Sequence, residues 1–274
     1  MTTAPSPVLI TGCSTGIGRA TAERLARKGL TVYATARKVS DLEGLADVIP
    51  LPLDVTDEAS MRAVVEQIEA EHGAVGALVN NAGYGVYGPI EEAPMTDVRK
   101  MFDTNVFGLV ELTRLVLPGM RRAGRGRIVN IGSMGGKVTF PIGGFYHATK
   151  YAVEALTDAL RQEVAQFGIQ VSLVEPGPIR TNFESTISRS AAYDGADGPY
   201  AGLVRRIAST NSGAYANKLV APGPESVAKA IEKALTARNP RTRYLLTPAA
   251  HVMVGTHAVV PDRVWDTLVR VATR

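Results

Sequence analysis

The sequence predicts an α/β fold built on a doubly wound parallel sheet with helices on both faces. Short, continuous apolar runs rich in β-branched residues alternate with longer segments of helical period. Such runs are typical of strands buried on both faces, and their alternation with helices is typical of right-handed βαβ units. No internal repeat or low-complexity linker divides the 274 residues, so we expect a single domain over 1–274.

The predicted strands follow one another along the chain. They are the runs at 8–11, 31–36, 77–80, 127–131 and 170–174, with a last strand over 243–246. One helical segment is marked by apolar residues three or four positions apart: Val153, Leu156, Leu160, Val164 and Phe167. This spacing puts the apolar side chains on one helix face, and Gly168 is a suitable C-terminal cap.

Two stretches interrupt the alternation. Residues 184–223 are rich in Ser, Ala, Gly and Asn, which favours a substrate lid, with a plain surface excursion as the alternative. Residues 249–274 form a C-terminal extension in which valines and Trp265 are mixed with Pro261 and arginines. This extension could close a pocket, and packing on the core is the slightly favoured interpretation.

Composition and charge indicate an ordinary globular protein. Apolar residues make up 45% of the chain, charged residues 20%, and the net charge is only +4. The one dense basic cluster, at 121–127, follows an apparent helix. Cations complement the dipole at a helix end, so this interpretation is preferred to nucleic-acid binding.

Three features of the sequence give expectations about cellular location and metal binding: the cysteine content, the N-terminal segment and the spacing of the histidines. Cys13 is the only cysteine, so no intramolecular disulfide can form, which fits a cytoplasmic location. The N-terminal segment lacks the features of a signal peptide, and no apolar run is long enough to span a membrane. The four histidines show no metal-ligand spacing, so we expect no metal site.

A glycine-rich turn, TGCSTGIG, follows the first predicted strand and leads into a helical segment. Its glycines, Gly12, Gly16 and Gly18, allow positive φ and let the backbone approach a ligand closely. The helix that follows offers unpaired N–H groups to a pyrophosphate. A tight strand–helix connection is the alternative, but a position in the first βα turn favours a Rossmann-type dinucleotide site.

Arg37 ends the second predicted strand, 19 residues after the last of these glycines. An acidic residue there would favour NAD, whereas an arginine suits the 2′-phosphate of NADP(H) through charge-assisted hydrogen bonds. We therefore expect NADP(H) to be preferred over NAD(H). An exposed arginine without a role in binding is the alternative.

Four further motifs accompany the glycine turn. They are NNAG at 80–83, TNVFG at 104–108, IGS at 131–133 and the Y-x-x-x-K of Tyr146 and Lys150. With the glycine turn they make the chain resemble the short-chain dehydrogenase/reductase family over roughly residues 7–182, and they occur in the family's order. The stretches YATAR, NAGYGVYGPIEE and EPGPIRTNF are most similar to the branch of 17β-hydroxysteroid and retinol dehydrogenases.

The resemblance implies four catalytic residues. Tyr146 would be the general acid in ketone reduction and the base in alcohol oxidation. Lys150 would bind the nicotinamide ribose and lower the pKa of Tyr146. Ser133 would orient the substrate oxygen, and Asn105 would hold a water in a proton relay behind Lys150.

The resemblance also implies positions for both ligands. The cofactor would be bound by Gly12, Ser14, Thr15, Gly16, Ile17, Gly18, Arg37, Asp54, Val55, Asn81, Ala82, Gly83, Tyr146, Lys150, Pro176, Gly177, Ile179 and Thr181. The substrate would be bound by Ser133, Gly135 and Tyr146.

Elementary electrostatics supports the tyrosine–lysine pair. The (i, i+4) spacing puts both side chains on one helix face, and an ordinary surface pair is the alternative that the pair alone leaves open. Free tyrosine has a pKa near 10, and a lysine cation about 4 Å away, at an effective dielectric of about 20, would lower it by roughly three units. His147, the next residue, points about 100° away around the helix and is interpreted as structural.

These observations predict an NADP(H)-dependent oxidoreductase that interconverts a ketone or aldehyde and an alcohol by hydride transfer. The residues expected near the pocket are mostly apolar, which favours a steroid-, retinoid- or polyketide-like substrate. They are Tyr84, Met134, Gly135, Val138, Phe140, Ile142 and Phe183, with Arg180 as a candidate for binding a carboxylate.

Two alternative functions stay open. They are a catalytically silent dinucleotide-binding sensor or scaffold protein, and an enzyme acting on an enoyl or imine substrate. By analogy with the family, helices at 105–122 and 150–167 suggest a homodimer or homotetramer.

Overall fold

The computed structural model describes residues 7–181, 198–217 and 220–273, and its centre is a parallel sheet. The strands are β1 Val8–Ile10, β2 Val32–Ala36, β3 Ile49–Pro52, β4 Ala77–Asn80, β5 Gly126–Ile131, β6 Ile169–Pro176 and β7 Arg243–Leu246. Their order across the sheet is β3-β2-β1-β4-β5-β6-β7, and every pair is parallel. The strand order reverses between β1 and β4, which is where open α/β sheets bind ligands. The predicted doubly wound parallel sheet is confirmed.

Helices connect the strands, and two more follow the last strand. They are α1 Gly16–Ala26, α2 Glu58–His72, α3 Met95–Phe102, α4 Gly108–Ala123, α5 Gly144–Val164, α6 Ala201–Ala216, α7 Glu225–Thr236, α8 Pro248–His257 and α9 Asp262–Ala272. Short 3₁₀ turns cover Val39–Leu42, Met134–Gly136 and Ala165–Phe167. A π-helical turn, Asp103–Phe107, joins α3 to α4. The predicted lid region, 184–223, therefore contains a helix, α6, while its residues 184–197 and 218–219 lie outside the described ranges.

Packing on the two faces of the sheet follows from the alternation of side chains along each strand. Val8 and Ile10 of β1 are in one apolar cluster, with residues of α1 and α7. Leu9, between them, is in a second cluster with residues of α2 and α4. Cys13 is fully buried in the first cluster, and burial raises the pKa of its thiol to about 12, which fits a packing residue.

The edge strand β3 was not among the predicted strands. Its sequence, IPLP, contains two prolines, and most of its residues are exposed. Proline lacks an N–H group and is tolerated at sheet edges, where β3 pairs only with β2. A search for continuous β-branched apolar runs therefore misses it.

Two local predictions are confirmed. The predicted amphipathic segment is α5 with its 3₁₀ extension, and Gly168 ends it with a φ of +72°. The basic cluster at 121–127 lies at a helix end, because Arg121 and Arg122 are in the last turn of α4, which stops at Ala123 and is capped by Gly124 at positive φ. Arg122 in the last turn forms an ion pair with Glu69 at 2.9 Å.

A buried group of charges fastens α5 to the strands behind it. Glu154 of α5 pairs with Lys137 at 2.7 Å and with Arg243 of β7 at 3.1 Å. Glu175 of β6 is also buried, and burial together with its hydrogen bond to Glu154 raises its pKa to about 8. A protonated Glu175 supplies a donor to the Glu154 carboxylate, one oxygen of which, Oε1, has no other partner among the described residues.

Candidate active site

One cavity of about 930 Å³ runs along the carboxyl ends of the strands. The predicted site residues that line it are Gly12, Ser14, Thr15, Gly16, Ile17, Arg37, Asp54, Val55, Asn81, Ala82, Gly83, Ser133, Gly135, Tyr146, Lys150, Pro176, Gly177, Ile179 and Thr181. Gly18 and Asn105 are the two predicted residues outside the lining. After the ligands that the sequence predicts, we call the part of the cavity around the glycine turn the cofactor end, and the part around Phe140 and Tyr215 the substrate end.

The glycine turn between β1 and α1 forms one wall of the cofactor end. Gly12 and Gly16 have φ values of +71° and +59°, which favour glycine. A Cβ atom at Gly18 would overlap the carbonyl oxygen of Gly12, so a side chain there would push α1 away from the turn. Thr15, the N-cap of α1, makes no side-chain capping bond, so the first amides of α1 remain available to an anion.

The NNAG segment after β4 is fastened to the glycine turn. The side-chain amide of Asn81 donates to the carbonyl oxygens of Thr11 and Gly12, at 2.8 and 3.0 Å. The Thr11 hydroxyl accepts from the backbone N–H groups of Asn81 and Ala82, at 3.0 and 2.9 Å. These bonds fix the two segments as one rigid wall.

The remaining residues of the cofactor end come from strand ends on either side of the glycine turn. Arg37 directly follows β2, and its side chain is exposed at the cavity. Asp54 follows β3, and its carboxylate accepts from the backbone and hydroxyl of Thr56, at 2.9 and 2.7 Å. Thr181 lies after β6, so close to the turn that a Cβ at Gly16 would be 3.2 Å from it.

Tyr146 and Lys150 are both buried on α5, one helical turn apart. The Lys150 ammonium donates to the carbonyl oxygen of Ile131, at 2.8 Å, and lies 5.8 Å from the centre of the Tyr146 ring. Burial lowers the pKa of Lys150 to about 8. The structure therefore excludes the alternative of an ordinary surface pair.

The pKa of Tyr146 does not move in the expected direction. The sequence argument predicted that Lys150 would lower it, but burial of the phenol raises the Tyr146 pKa well above its ordinary value, and Tyr215 acts in the same direction. The hydrogen bond with Ser133 acts the other way and is the smaller effect. The prediction was wrong for the protein without ligands, because it counted the charge of the lysine and omitted the cost of burying a phenolate.

Ser133 directly follows β5 and caps the 3₁₀ turn Met134–Gly136. Its Oγ accepts a hydrogen bond from the Gly135 N–H, at 3.0 Å. Because that bond occupies a lone pair of Oγ, the hydroxyl hydrogen can be donated into the cavity, and in this structure Ser133 is bonded to Tyr146. A hydroxyl and a phenol thus meet where a substrate oxygen could accept from both.

Asn105 lies behind the cavity, in the π-helical turn. Its Oδ1 accepts from the Tyr84 N–H at 3.1 Å, and its Nδ2 donates to the Tyr84 carbonyl oxygen at 2.8 Å. Nδ2 also lies 3.2 Å from the hydroxyl of Thr149, the residue before Lys150. The side chain therefore links the loop after β4 to α5, and its part in a proton relay stays a prediction.

The substrate end only partly matches the residues expected there. Tyr84, Met134, Gly135 and Phe140 line the cavity, whereas Val138 and Ile142 are buried outside the lining. Arg180 is exposed away from it, and Phe183 lies outside the described residues. The sequence argument missed Tyr87, Ile207 and Tyr215.

The missed residues come from two segments. Tyr87 stacks on Tyr146 with ring centres 5.5 Å apart, and its signal was the aromatic run after NNAG. Ile207 and Tyr215 belong to α6, within the predicted lid. Nothing in the sequence of that helix indicates which of its residues face the cavity.

The C-terminal extension forms α8 and α9 and reaches the cavity wall indirectly. Trp265 of α9 lies outside the lining and packs against Phe140, a lining residue, with ring centres 6.2 Å apart. Trp265 also packs edge-on against His257 of α8, with ring centres 4.9 Å apart. The extension therefore supports the substrate end from behind.

The structure also bears on two other kinds of site. Within the described ranges, no group of three or more His, Cys, Asp or Glu side chains is placed to hold a metal ion. Among the helices of the same ranges, none combines the length and apolar character needed to cross a membrane.

Comparison with known proteins identifies the family. The family model described as short chain dehydrogenase matches residues 6–192. A 3-ketodihydrosphingosine reductase from Bacteroides thetaiotaomicron is 38% identical, over 97% of each chain. An NADPH-dependent 3-dehydrocapnine reductase from Ornithobacterium rhinotracheale is 34% identical, over 94% of each.

Solved structures agree with this match. The crystal structure of a short-chain dehydrogenase from Streptomyces avermitilis has a TM-score of 0.78 and 35% identity, covering 98% of this chain and 97% of that one. The closed form of serine dehydrogenase complexed with NADP⁺ has a TM-score of 0.76 and 30% identity, covering 89% and 95%. The chain belongs to the short-chain dehydrogenase family and is an oxidoreductase.

Proposed function

We propose that this chain is an NADP(H)-dependent oxidoreductase that interconverts a ketone or aldehyde and an alcohol on a lipophilic small molecule. The observation that carries the proposal is the meeting of Ser133, Tyr146 and Lys150 in one long cavity with the glycine turn. The glycine turn and the free amides of α1 fit a pyrophosphate. The hydroxyl and the phenol fit a carbonyl oxygen.

The residues present at the cofactor end fit NADP(H). The backbone amides of residues 15–18 would hold the pyrophosphate, and Arg37 would hold the 2′-phosphate. Asp54 and Val55 would hold the adenine, and the segment 176–181 would hold the nicotinamide. The NADP⁺ complex of serine dehydrogenase and the NADPH dependence of the 3-dehydrocapnine reductase support this choice. When bound, the nicotinamide supplies the hydride that no side chain can supply.

Side chains of the protein supply the proton that the carbonyl oxygen takes up when the hydride is transferred. Because burial raises the pKa of Tyr146, the phenol carries its proton at neutral pH and can donate it to a carbonyl oxygen that receives a hydride. Ser133 would donate a second hydrogen bond to that oxygen and orient it. The Lys150 ammonium, whose pKa of about 8 leaves it mostly charged at pH 7, would stabilise the phenolate left behind.

The substrate end supports a lipophilic substrate. Phe140, Met134, Tyr87 and Ile207 line it, and their apolar surface would be buried by a chain or ring system. The names of two relatives, a 3-ketodihydrosphingosine reductase and a 3-dehydrocapnine reductase, describe enzymes that reduce a 3-keto or 3-dehydro compound. We propose a lipid-like ketone as the substrate class.

The test is the oxidation of NADPH with a panel of long-chain and cyclic ketones. We expect Tyr146→Phe to lower kcat by about 10²–10⁴-fold, the usual contribution of a general acid, while NADPH binding is retained. Tyr33→Phe is the control, because Tyr33 of β2 also has a hydrogen-bonded hydroxyl but lies outside the cavity lining. Full activity in Tyr146→Phe contradicts the mechanism, and tight NADPH binding without turnover of any ketone favours a sensor or scaffold protein.

We further propose that the chain forms a homodimer or homotetramer through α4 and α5. Phe107, Tyr151 and Leu156 support this proposal, because they are large apolar side chains exposed at the start of α4 and on α5. Size-exclusion chromatography with light scattering measures the mass of the assembly. A monomer of 29.1 kDa at micromolar concentration would contradict this part of the proposal.

A further inference from the structure

His147, the residue after Tyr146, is enclosed by the two backbone turns that flank the substrate end. A Cβ atom at Gly135 would be 2.6 Å from its Nδ1, and a Cβ at Gly143 would be 2.6 Å from its Nε2. The ring is 5% exposed and touches the rings of Phe140 and Tyr146, with centres 5.9 and 5.8 Å away. Such enclosure leaves the imidazole a single orientation.

The hydrogen bonds of His147 determine where its proton lies. The Phe140 N–H can only donate, and it lies 3.3 Å from Nε2, so Nε2 must accept. Nδ1 therefore carries the proton of the neutral ring and donates to the Gly135 carbonyl oxygen, at 3.0 Å. Burial lowers the pKa of His147, which also favours the neutral ring.

Gly135 connects this imidazole to Ser133. While its carbonyl oxygen accepts from His147, its N–H donates to the Ser133 Oγ, at 3.0 Å. The N–H bond directs the hydroxyl hydrogen of Ser133 towards Tyr146 and the cavity. If Gly135 were free to turn, the Ser133 hydroxyl would lose the contact that sets its direction.

We infer that His147 is a positioning residue: its imidazole, bonded to Gly135 and Phe140, holds the turn that aims the Ser133 hydroxyl at the substrate oxygen. This inference rests on the proposed function and assigns a task to a side chain that lines the cavity and packs against Tyr146. The same segment is also held by the Gly132 N–H, which donates to the Val174 carbonyl oxygen at 2.8 Å, and by Lys150, which donates to the Ile131 carbonyl oxygen. These bonds lie on the β5 side of Ser133, whereas His147 holds the Gly135 carbonyl oxygen on the other side.

The experiment compares two variants of His147 in two backgrounds. His147→Phe keeps a ring of similar volume and removes both hydrogen bonds, whereas His147→Asn can still donate to the Gly135 carbonyl. We expect His147→Phe to lower kcat for ketone reduction about tenfold, the scale of one or two lost hydrogen bonds, with an unchanged dissociation constant for NADPH. His147→Asn should recover part of the loss.

The second background, Ser133→Ala, separates positioning from a general effect on the fold. If His147 acts through Ser133, His147→Phe should cost less than about twofold in Ser133→Ala, because effects that share one pathway are not additive. An equal loss in both backgrounds overturns the inference. His72→Phe is the control histidine, since His72 lies at the end of α2, outside the cavity lining, and bonds to the Tyr33 hydroxyl.

A measurement that needs no turnover tests the bonding itself. In ¹⁵N-histidine-labelled wild type at pH 7, NMR should find the His147 ring neutral, with its proton on Nδ1, which is the less common form of free histidine. A proton on Nε2 in an active enzyme overturns this inference and leaves the proposed function standing. A wild type that turns over no ketone contradicts the proposed function, whatever form the ring takes. Should His147→Phe fail to fold, His147→Asn and the NMR measurement decide the question.

Discussion

The cofactor end and the substrate end of the cavity are held by different kinds of structure. At the cofactor end the backbone itself forms the wall, through glycines that leave no room for side chains and through bonds from Asn81 to the turn. At the substrate end the wall is made of side chains from separate elements, including Phe140, Ile207 and Tyr215, with Trp265 behind them. A backbone wall tolerates few residue types, whereas a side-chain wall can change its shape by substitution. The four predictions below test that contrast, from the largest expected effect to the smallest.

Gly18→Ala should damage the cofactor end most. The new methyl group would overlap the Gly12 carbonyl oxygen and press on the Asn81 amide, so the turn must shift away from its ligand. Overpacking of this kind costs about 1–3 kcal/mol, and we expect the dissociation constant of NADPH, measured by calorimetry, to rise about 10–100-fold. Gly255→Ala is the matched control, because Gly255 of α8 has open space around it. Unchanged NADPH affinity in Gly18→Ala would refute a backbone-built wall.

Arg37→Ala should remove selectivity rather than binding. A charge-assisted hydrogen bond to a 2′-phosphate contributes about 1.5–3 kcal/mol, so the preference for NADPH over NADH should fall about 10–100-fold. NADH binding should change little, because NADH has no phosphate at that position. Lys38→Ala tests for a general effect of charge, since Lys38 is the adjacent cation and lies outside the cavity lining. Equal losses in the two variants would mean that Arg37 does not select the cofactor.

Trp265→Ala should affect the substrate end alone. Loss of the indole leaves Phe140 without its support, and we expect the KM for a lipophilic ketone to rise about 3–10-fold, equivalent to ~1 kcal/mol. The dissociation constant of NADPH should stay the same. Val264→Ala, at an exposed neighbouring position on α9, serves as control, with melting temperatures to confirm folding. A Trp265→Ala variant that weakens NADPH binding as strongly as ketone binding would show that the two ends are not independent.

Glu175→Gln tests the buried group of charges around Glu154. This group lies behind both ends of the cavity, because β6, which carries Glu175, continues into the segment 176–181 of the cofactor end, and Glu154 lies on α5, the helix of Tyr146. The folded state raises the Glu175 pKa from 4.5 to about 8, so between these values it holds a proton that the unfolded chain has released. Stability from this group is therefore present at acidic pH and is lost as pH rises towards and through about 8. Glutamine cannot ionise, so the variant does not lose this stability as the pH rises. The melting temperature of the variant minus that of wild type should therefore increase by about 2–4 °C between pH 6 and pH 9, which corresponds to ~1 kcal/mol. If the melting temperatures of the two proteins change in parallel between pH 6 and pH 9, Glu175 and Glu154 do not share a proton in the folded protein.

The same contrast explains how much the sequence could predict. At the cofactor end, residue type follows from backbone geometry, so Gly12, Gly16 and Gly18 could be assigned from their spacing. At the substrate end, Tyr215 and Trp265 act through positions that depend on how α6 and α9 pack, and no local pattern encodes that packing. Phe140 could be named only because it follows Ser133 closely in the chain.

Two of the errors about structure also have clear physical causes. The edge strand β3 carries prolines, which a search for β-branched runs rejects, although an edge position tolerates them. For the Tyr146 pKa, the sequence supplied the charge of Lys150 but not the burial of the phenol, which is the larger effect. His147 was interpreted as structural, and only its two hydrogen bonds reveal what it holds.

The π-helical turn Asp103–Phe107 limits how this chain can be shortened or spliced. A π turn accommodates one residue more than an α-helical turn, and deleting that residue would restore the regular period and rotate α3 against α4 by about 100°. Asn105 would then be carried away from Tyr84 and Thr149. The number of residues in this stretch is therefore as much a requirement as their identity. Chimeras that exchange α3 with a relative should keep the extra residue.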